Sequence, residues 1–234
     1  MQRVALITDA QTPLGEELVR RYLAAGHCVA ATRSNLERFE TPLVSAEDRL
    51  LLVDWNRSSP ISARNVLLAA VNRFDALDEA LLLQAPHLPG GPLQGLSYEA
   101  IERAVDVWVK GTLFLAKGIL ETFAQRRSGS LALVQQAGQG ARLPPLEAAL
   151  RESVRAAARS LSAAARRPRG ARLLRVNSFE CHDPEAWDAQ AGAFAAFVLE
   201  TMQGRAQKAN GRCFHFPSWS WRAARLLRRR TRAT

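Results

Sequence analysis

Apolar residues along this chain fall into two alternating patterns: short, near-continuous runs, and longer segments with an apolar position every third or fourth residue. The runs at 4–7, 28–32, 50–53, 79–83, 130–134, 172–176 and 212–216 predict seven strands. Helical periodicity predicts helices over 14–25, 62–74, 98–126, 146–166 and 186–205. Strands with few polar interruptions are buried on both faces, as in a parallel sheet covered by helices on each side. The predicted fold class is α/β, a doubly wound parallel sheet of about seven strands. Loops carry the expected punctuation at Pro86, Pro89-Gly90-Gly91-Pro92, Pro144-Pro145 and Pro168-Arg169-Gly170. The pattern fits one domain over 1–216 followed by a basic tail over 217–234, with no internal repeat.

The first strand leads into Thr8, a tight turn and then a helix, so helix-start amides face the end of the strand. That arrangement suits a pyrophosphate when glycines let the backbone turn sharply and approach closely. Here Asp9 and Pro13 stand where glycines are wanted, and only Gly15 remains. Asp9 is expected to set a carboxylate beside any phosphate, and Pro13 removes a backbone donor. Thr8, Leu14 and Gly15 are the turn's candidate cofactor contacts.

Composition narrows the class further. At 234 residues and 47% hydrophobic, the chain can bury one sizeable core. No apolar stretch approaches a membrane span, and the start lacks the apolar region of a signal peptide. Cys28, Cys181 and Cys213 are scattered and odd in number, which points to a reduced, cytoplasmic protein. The net charge of +10 comes from arginines dispersed over nearly every helix. Dispersal favours a solvated surface over a nucleic-acid footprint, so nucleic acid is disfavoured as a partner.

Read in order, the motifs resemble the short-chain dehydrogenase/reductase family over nearly the full length. The family opens T-G-x-x-x-G-x-G, matched by Thr8 and Gly15. It carries an aspartate after the third strand, matched by Asp54, and N-N-A-G after the fourth, where Gln84-Ala85-Pro86 keeps only the alanine. Trp108 stands at the asparagine of the long central helix, and Gln135 and Gln136 replace the serine pair after the fifth strand. Aligning Arg159-Ser160-Leu161 with the end of the catalytic helix puts Glu147 at the tyrosine and Arg151 at the lysine of Y-x-x-x-K. Cys181-His182 replaces the family's P-G. The resemblance implies a Rossmann-type fold, a nicotinamide cofactor and association through two long helices, here about 98–127 and 146–166.

Hydride transfer requires a group that gives or takes a proton at the substrate oxygen, normally an acidified phenol. The chain's tyrosines, Tyr22 and Tyr98, both lie far upstream of that position. Glu147 beside Arg151 is expected to stay ionised, and an ionised carboxylate cannot donate to a forming alkoxide. Their i, i+4 spacing also reads as an ordinary helix-surface ion pair. No catalytic residue is therefore assigned at Gln135, Gln136, Glu147 or Arg151.

Arg33, ending the second strand, is compatible with a 2′-phosphate or with simple solvation. NADP(H) is thus favoured over NAD(H), and the expected cofactor is none or weakly bound NADP(H). His27, His87, His182 and His215 read as isolated, so no metal site is expected. Cys181-His182-Asp183 places thiol, imidazole and carboxylate together, but neighbours on an extended segment point to opposite faces. The tail mixes Trp219 and Trp221 with arginines such as Arg228, Arg229 and Arg230, suiting an anionic surface or an acidic partner, or packing on the body.

Leu150, Val154, Ala157, Leu161 and Ala164 form an apolar stripe expected to meet another subunit. The resulting expectation is an inactive structural or regulatory subunit of a homo- or hetero-oligomeric dehydrogenase/reductase, partnered by itself or by an intact paralogue. An active NADP(H)-dependent oxidoreductase with an atypical centre is the alternative, and a dinucleotide-sensing regulator a weaker one.

Overall fold

All seven predicted strands pair in parallel into one sheet of order β3-β2-β1-β4-β5-β6-β7 in a computed structural model. The structure describes residues 2–33, 48–84, 91–136, 143–165, 174–182 and 191–216. The strands are β1 (Val4–Ile7), β2 (Cys28–Arg33), β3 (Leu50–Asp54), β4 (Glu79–Gln84), β5 (Gly129–Gln136), β6 (Leu174–Cys181) and β7 (Cys213–Phe216). The helices are α1 (Pro13–Ala24), α2 (Pro60–Phe74), α3 (Tyr98–Val105), α4 (Gly111–Arg126), α5 (Pro145–Ala165) and α6 (Ala191–Gln203). Expectations at Ala85, Pro86 and His87, at Pro168-Arg169-Gly170, at Asp183, for helix over 186–190 and for the tail over 217–234 fall outside the described residues.

Successive residues of a strand face opposite sides of a sheet, and β1 shows the consequence. Ala5 and Ile7 join Leu14, Leu18 and Tyr22 of α1 and Phe194 and Phe197 of α6 in one core. Leu6 points the other way, into a second core with Val66 of α2, Ile119 and Phe123 of α4 and Ala158 of α5. Both faces are therefore apolar, which explains the near-continuous strand runs. Each large side chain removed from water here contributes about 1.5–3 kcal/mol.

Helix starts follow their capping residues. Thr12 caps α1 with Pro13 in the first turn, and its hydroxyl accepts from Gly15 N. Ser59 caps α2 in the same way, accepting from Ser62 N ahead of Pro60.

Two expectations about helices are corrected. The predicted continuous helix over 98–126 is interrupted by a π-helical turn at Asp106–Lys110. Thr112 Oγ1 donates to Trp108 O at 2.6 Å, and Gly111 lies against residue 57, where a Cβ would come within 2.7 Å of the Arg57 carbonyl. That close approach requires glycine, and the widened turn carries Trp108 inward.

The second correction concerns the α5 stripe. Leu150 and Val154 are buried within this chain, packed with Leu146, Ala104 and Trp108. Leu161 packs against the α2–α4 core. The large apolar residues of the stripe meet their own chain, so they leave no continuous apolar face for a second subunit. Periodicity shows that a face is apolar but not whose surface covers it.

Candidate functional site

In an open α/β sheet, ligands bind beyond the carboxyl ends of the strands where the strand order reverses. That switch point lies between β1 and β4, neighbours in the sheet but not in sequence. Thr8 bridges them: its amide donates to Leu81 O at 3.1 Å, and its hydroxyl accepts from Leu83 N at 2.8 Å. Asp9 follows with φ 52, a left-handed conformation natural to glycine. The backbone thus turns as a glycine-rich turn would, with an aspartate in the glycine's place. Gly15 sits directly beneath it, and a Cβ there would overlap the Asp9 carbonyl oxygen.

The Asp9 carboxylate does not stand open beside the crevice as expected. It forms an ion pair with Arg57, and the two side chains are 14% (Arg57) and 11% (Asp9) exposed. The same Arg57 nitrogen donates to Leu83 O at 3.1 Å. Its guanidinium also lies 4.4 Å from the centre of the Trp55 ring. Arg57 therefore arrives from the segment after β3 and ties the end of β1 to the end of β4, across the switch point.

Of the helix-start amides, one is missing and two are committed. Pro13 has none, Gly15 N donates to the Thr12 hydroxyl at 3.1 Å, and Glu16 N donates to Thr12 O at 2.8 Å. Leu14 is fully buried. At the ends of β2 and β3, Arg33 and Asp54 pair with one another at 2.8 Å. Both are substantially exposed, so this pair contributes about 0–1 kcal/mol.

The second half of the site lies where β5 ends against α5. Arg151 donates to Glu147 at 2.6 and 2.9 Å and to the Gln136 carbonyl at 2.7 Å. Three of the four residues aligned with the family's catalytic positions thus meet, at family spacing. The pair is not the exposed helix-surface bridge that the spacing suggested. The Arg151 side chain is 10% exposed and that of Glu147 16%. Gln135, one residue earlier, lies on the other side of the strand from the Gln136 side chain and donates to Glu180 at 3.0 Å, which Arg155 of α5 also bonds. Gln84 bonds Thr112 instead, at 3.0 Å.

Neither tyrosine reaches this cluster's chemistry. Tyr22 is fully buried on α1 and donates to Glu79 at 2.8 Å. Burial foremost, then the Glu79 carboxylate, holds its phenol well above the ordinary range. Tyr98 opens α3 and is 89% exposed.

Sequence reasoning missed Arg57, which belongs to no motif; its only trace was that an aspartate in a glycine position needs a counter-charge. It also read His182 and His215 as isolated. Parallel pairing of β6 and β7 sets Glu180 opposite His215, and the two imidazoles lie 2.9 Å apart with Glu180 beside them. The strand register that joins them is invisible in linear spacing. Among the described residues, no helix is long and apolar enough to cross a membrane.

Comparison with known proteins agrees with this architecture. A family model described as short chain dehydrogenase matches residues 3–182. The chain is 30% identical over 140 residues to Dehydrogenase/reductase SDR family member 7C-B of Danio rerio, covering 56% of this chain and 44% of that relative. The chain thus matches less than half the length of that relative. Among solved structures, 3-ketoacyl-(acyl-carrier-protein) reductase from Brucella melitensis complexed with NADH superposes with TM-score 0.75 at 17% identity, covering 92% of this chain and 96% of that one. An actinorhodin polyketide ketoreductase with NADPH gives TM-score 0.78 at 18% identity, covering 92% and 95%. The fold, the ordered motifs and the family model together establish that this chain belongs to the short-chain dehydrogenase/reductase family.

Proposed function

We propose that this chain has lost dehydrogenase activity of its own, binds NADP(H) weakly or not at all, and serves as a structural or regulatory subunit of an NAD(P)-dependent oxidoreductase assembly. The observation that carries this reading is the Arg57 bridge across the switch point. Family membership implies a nicotinamide dinucleotide, and the residues at that point do not fit one. A pyrophosphate would have to displace a largely buried ion pair and settle on a helix start that lacks an amide at Pro13 and has those of Gly15 and Glu16 bonded to Thr12. Removing one partner from a buried pair costs about 3–5 kcal/mol, which the incoming phosphate must repay.

The β5–α5 cluster supports the same reading. Arg151 is held by Glu147 and by the Gln136 backbone, an arrangement that rigidifies the helix start but offers no proton to a forming alkoxide. One observation favours a second reading. Glu147 lies in a partly dry site at the family's tyrosine position, where a carboxylate could accept a proton from an alcohol. In that reading Glu147 is the general base of alcohol oxidation and, once protonated, the general acid of the reverse reduction.

A subunit role needs a contact surface, and the α5 stripe no longer supplies it. Association is better supported on the α2–α4 face, where Ile61, Leu68 and Leu113 are 70%, 47% and 41% exposed. Leu68 lines a groove of about 790 Å³ between α2 and α4 together with Leu67, Val71 and Phe114. The outer side of α5, with exposed Ala156, Ala163 and Ala164, allows close helix packing beside it.

Turnover assays with NADPH and NADH over alcohols, ketones and acyl thioesters test the reading, together with co-purification from the native host. Expected are no turnover by the isolated chain and recovery of an oligomer, of this chain alone or with a paralogue that retains the tyrosine and lysine. Cofactor-dependent turnover abolished by Glu147→Gln would establish the second reading instead.

A further inference from the structure

We infer that Glu180, His182 and His215 form a binding site for a divalent transition metal of the zinc class. The inference does not depend on whether the chain binds a dinucleotide. It rests on how β6 and β7 meet. Glu180 and His182 are two residues apart and share one face at the end of β6. His215 stands opposite Glu180 in the parallel register, and His182 N donates to Phe216 O at 2.8 Å, which extends the ladder past the strand end. One ligand atom from each of the three residues lies within 4.8 Å of the others.

The separations match a metal's requirements. His182 Nε2 and His215 Nδ1 are 2.9 Å apart. Glu180 Oε2 lies 3.5 Å from His215 Nδ1 and 4.0 Å from His182 Nε2. Tetrahedral zinc with bonds of about 2.0–2.1 Å to nitrogen and oxygen needs ligand atoms about 3.3 Å apart. The three distances bracket that value, so small side-chain rotations suffice.

The carboxylate is also oriented for the task. Glu180 Oε1 accepts from Gln135 Nε2 at 3.0 Å and from Arg155 Nε at 2.9 Å. Its Oε2 is the oxygen turned toward the imidazoles. Outer-shell donors of this kind fix ligand geometry in metal sites. They also put the carboxylate between the Arg155 guanidinium and the metal, which limits their repulsion.

Donor chemistry sets the class of ion. Two imidazoles and one carboxylate suit zinc and its neighbours, whereas magnesium and calcium take all-oxygen sites. The imidazole side chains are 51% and 54% exposed, so water can complete the coordination. Such a metal would clip the edge strand β7 to β6. Cys213 precedes His215 by two residues and needs separate control. Its sulfur is not among the ligand atoms that converge, which are those of Glu180, His182 and His215.

The test titrates the full chain, stripped with a chelator, with Zn2+ by calorimetry and with Co2+ by visible absorption. One ion per chain is expected, with cobalt bands of tetrahedral character. His182→Ala and His215→Ala should each weaken binding by at least about 10-fold, since even outer-shell losses cost about 10–100-fold. Both residues are about half exposed, so the variants should keep the wild-type circular dichroism. Cys213→Ser should bind as wild type does. Absence of stoichiometric binding, binding retained by either histidine variant, or loss in Cys213→Ser would each overturn the assignment.

Discussion

Replacing Asp9 with glycine should make the protein less stable and its crevice more receptive to NADPH. Asp9 is left-handed at φ 52, so glycine relieves backbone strain of about 1–2 kcal/mol at most, aspartate being among the residues that tolerate this region. The loss on the other side is the Arg57 partner. Orphaning a buried charge costs about 3–5 kcal/mol. Arg57 keeps the Leu83 carbonyl and the Trp55 ring, which holds the penalty toward the lower end. The net expectation is a destabilisation of about 1–3 kcal/mol, read from urea midpoints. The freed guanidinium then faces any incoming phosphate without a competing carboxylate. One charge-assisted hydrogen bond contributes about 1.5–3 kcal/mol, or roughly 10- to 150-fold in affinity. Calorimetry of Asp9→Gly against wild type with NADPH reads that gain. Arg57→Ala is the control, destabilised in turn but gaining no affinity, because it leaves the carboxylate bare. A folded Asp9→Gly that binds NADPH no better than wild type would refute the idea that this ion pair closes the crevice.

Three further outcomes follow from the geometry. Tyr22→Phe removes the hydroxyl that serves the buried Glu79 carboxylate, which keeps its ion pair with Arg3; a loss of about 1–2 kcal/mol in urea unfolding is expected, and an unchanged midpoint would count against that network. His27 is held below the ordinary histidine range, chiefly by burial, so the unfolded chain takes up its proton first as pH falls. The stability this residue contributes is complete above about pH 6.5 and is lost as pH drops through the lowered folded value; His27→Gln should flatten that part of the pH profile, and identical profiles would disprove its part in it. Leu113→Arg puts a charge on the α4 face, and light scattering should show smaller particles than wild type at equal concentration; an unchanged mass would move the contact elsewhere.

The fold was legible because its signals are local. Near-continuous strand runs, capping residues such as Thr12 and Ser59, and helical periodicity each act within a few residues. Together they placed β1, α1 and the alternation of strands with helices. The pairing of Glu147 with Arg151 was legible in their i, i+4 spacing, although its burial and its contact with Gln136 were not, since both depend on residues distant in sequence. What escaped the sequence is long-range. Arg57 reaches Asp9 across 48 positions, and nothing near Arg57 marks it. His215 meets His182 across 33 positions, only because β7 pairs with β6 in one register. The α5 stripe misled for a related reason: Trp108 enters from a π-helical turn and covers Leu150 and Val154, and periodicity does not name the covering surface.

The central claim is that the dinucleotide crevice of this family member is closed by its own side chains. Isothermal titration of the wild-type chain with NADPH tests it most directly. The expected result is no saturation short of roughly millimolar cofactor, a binding free energy no better than about −4 kcal/mol. A low-micromolar dissociation constant, about −8 kcal/mol, would show that the Asp9–Arg57 pair opens readily and would contradict the account.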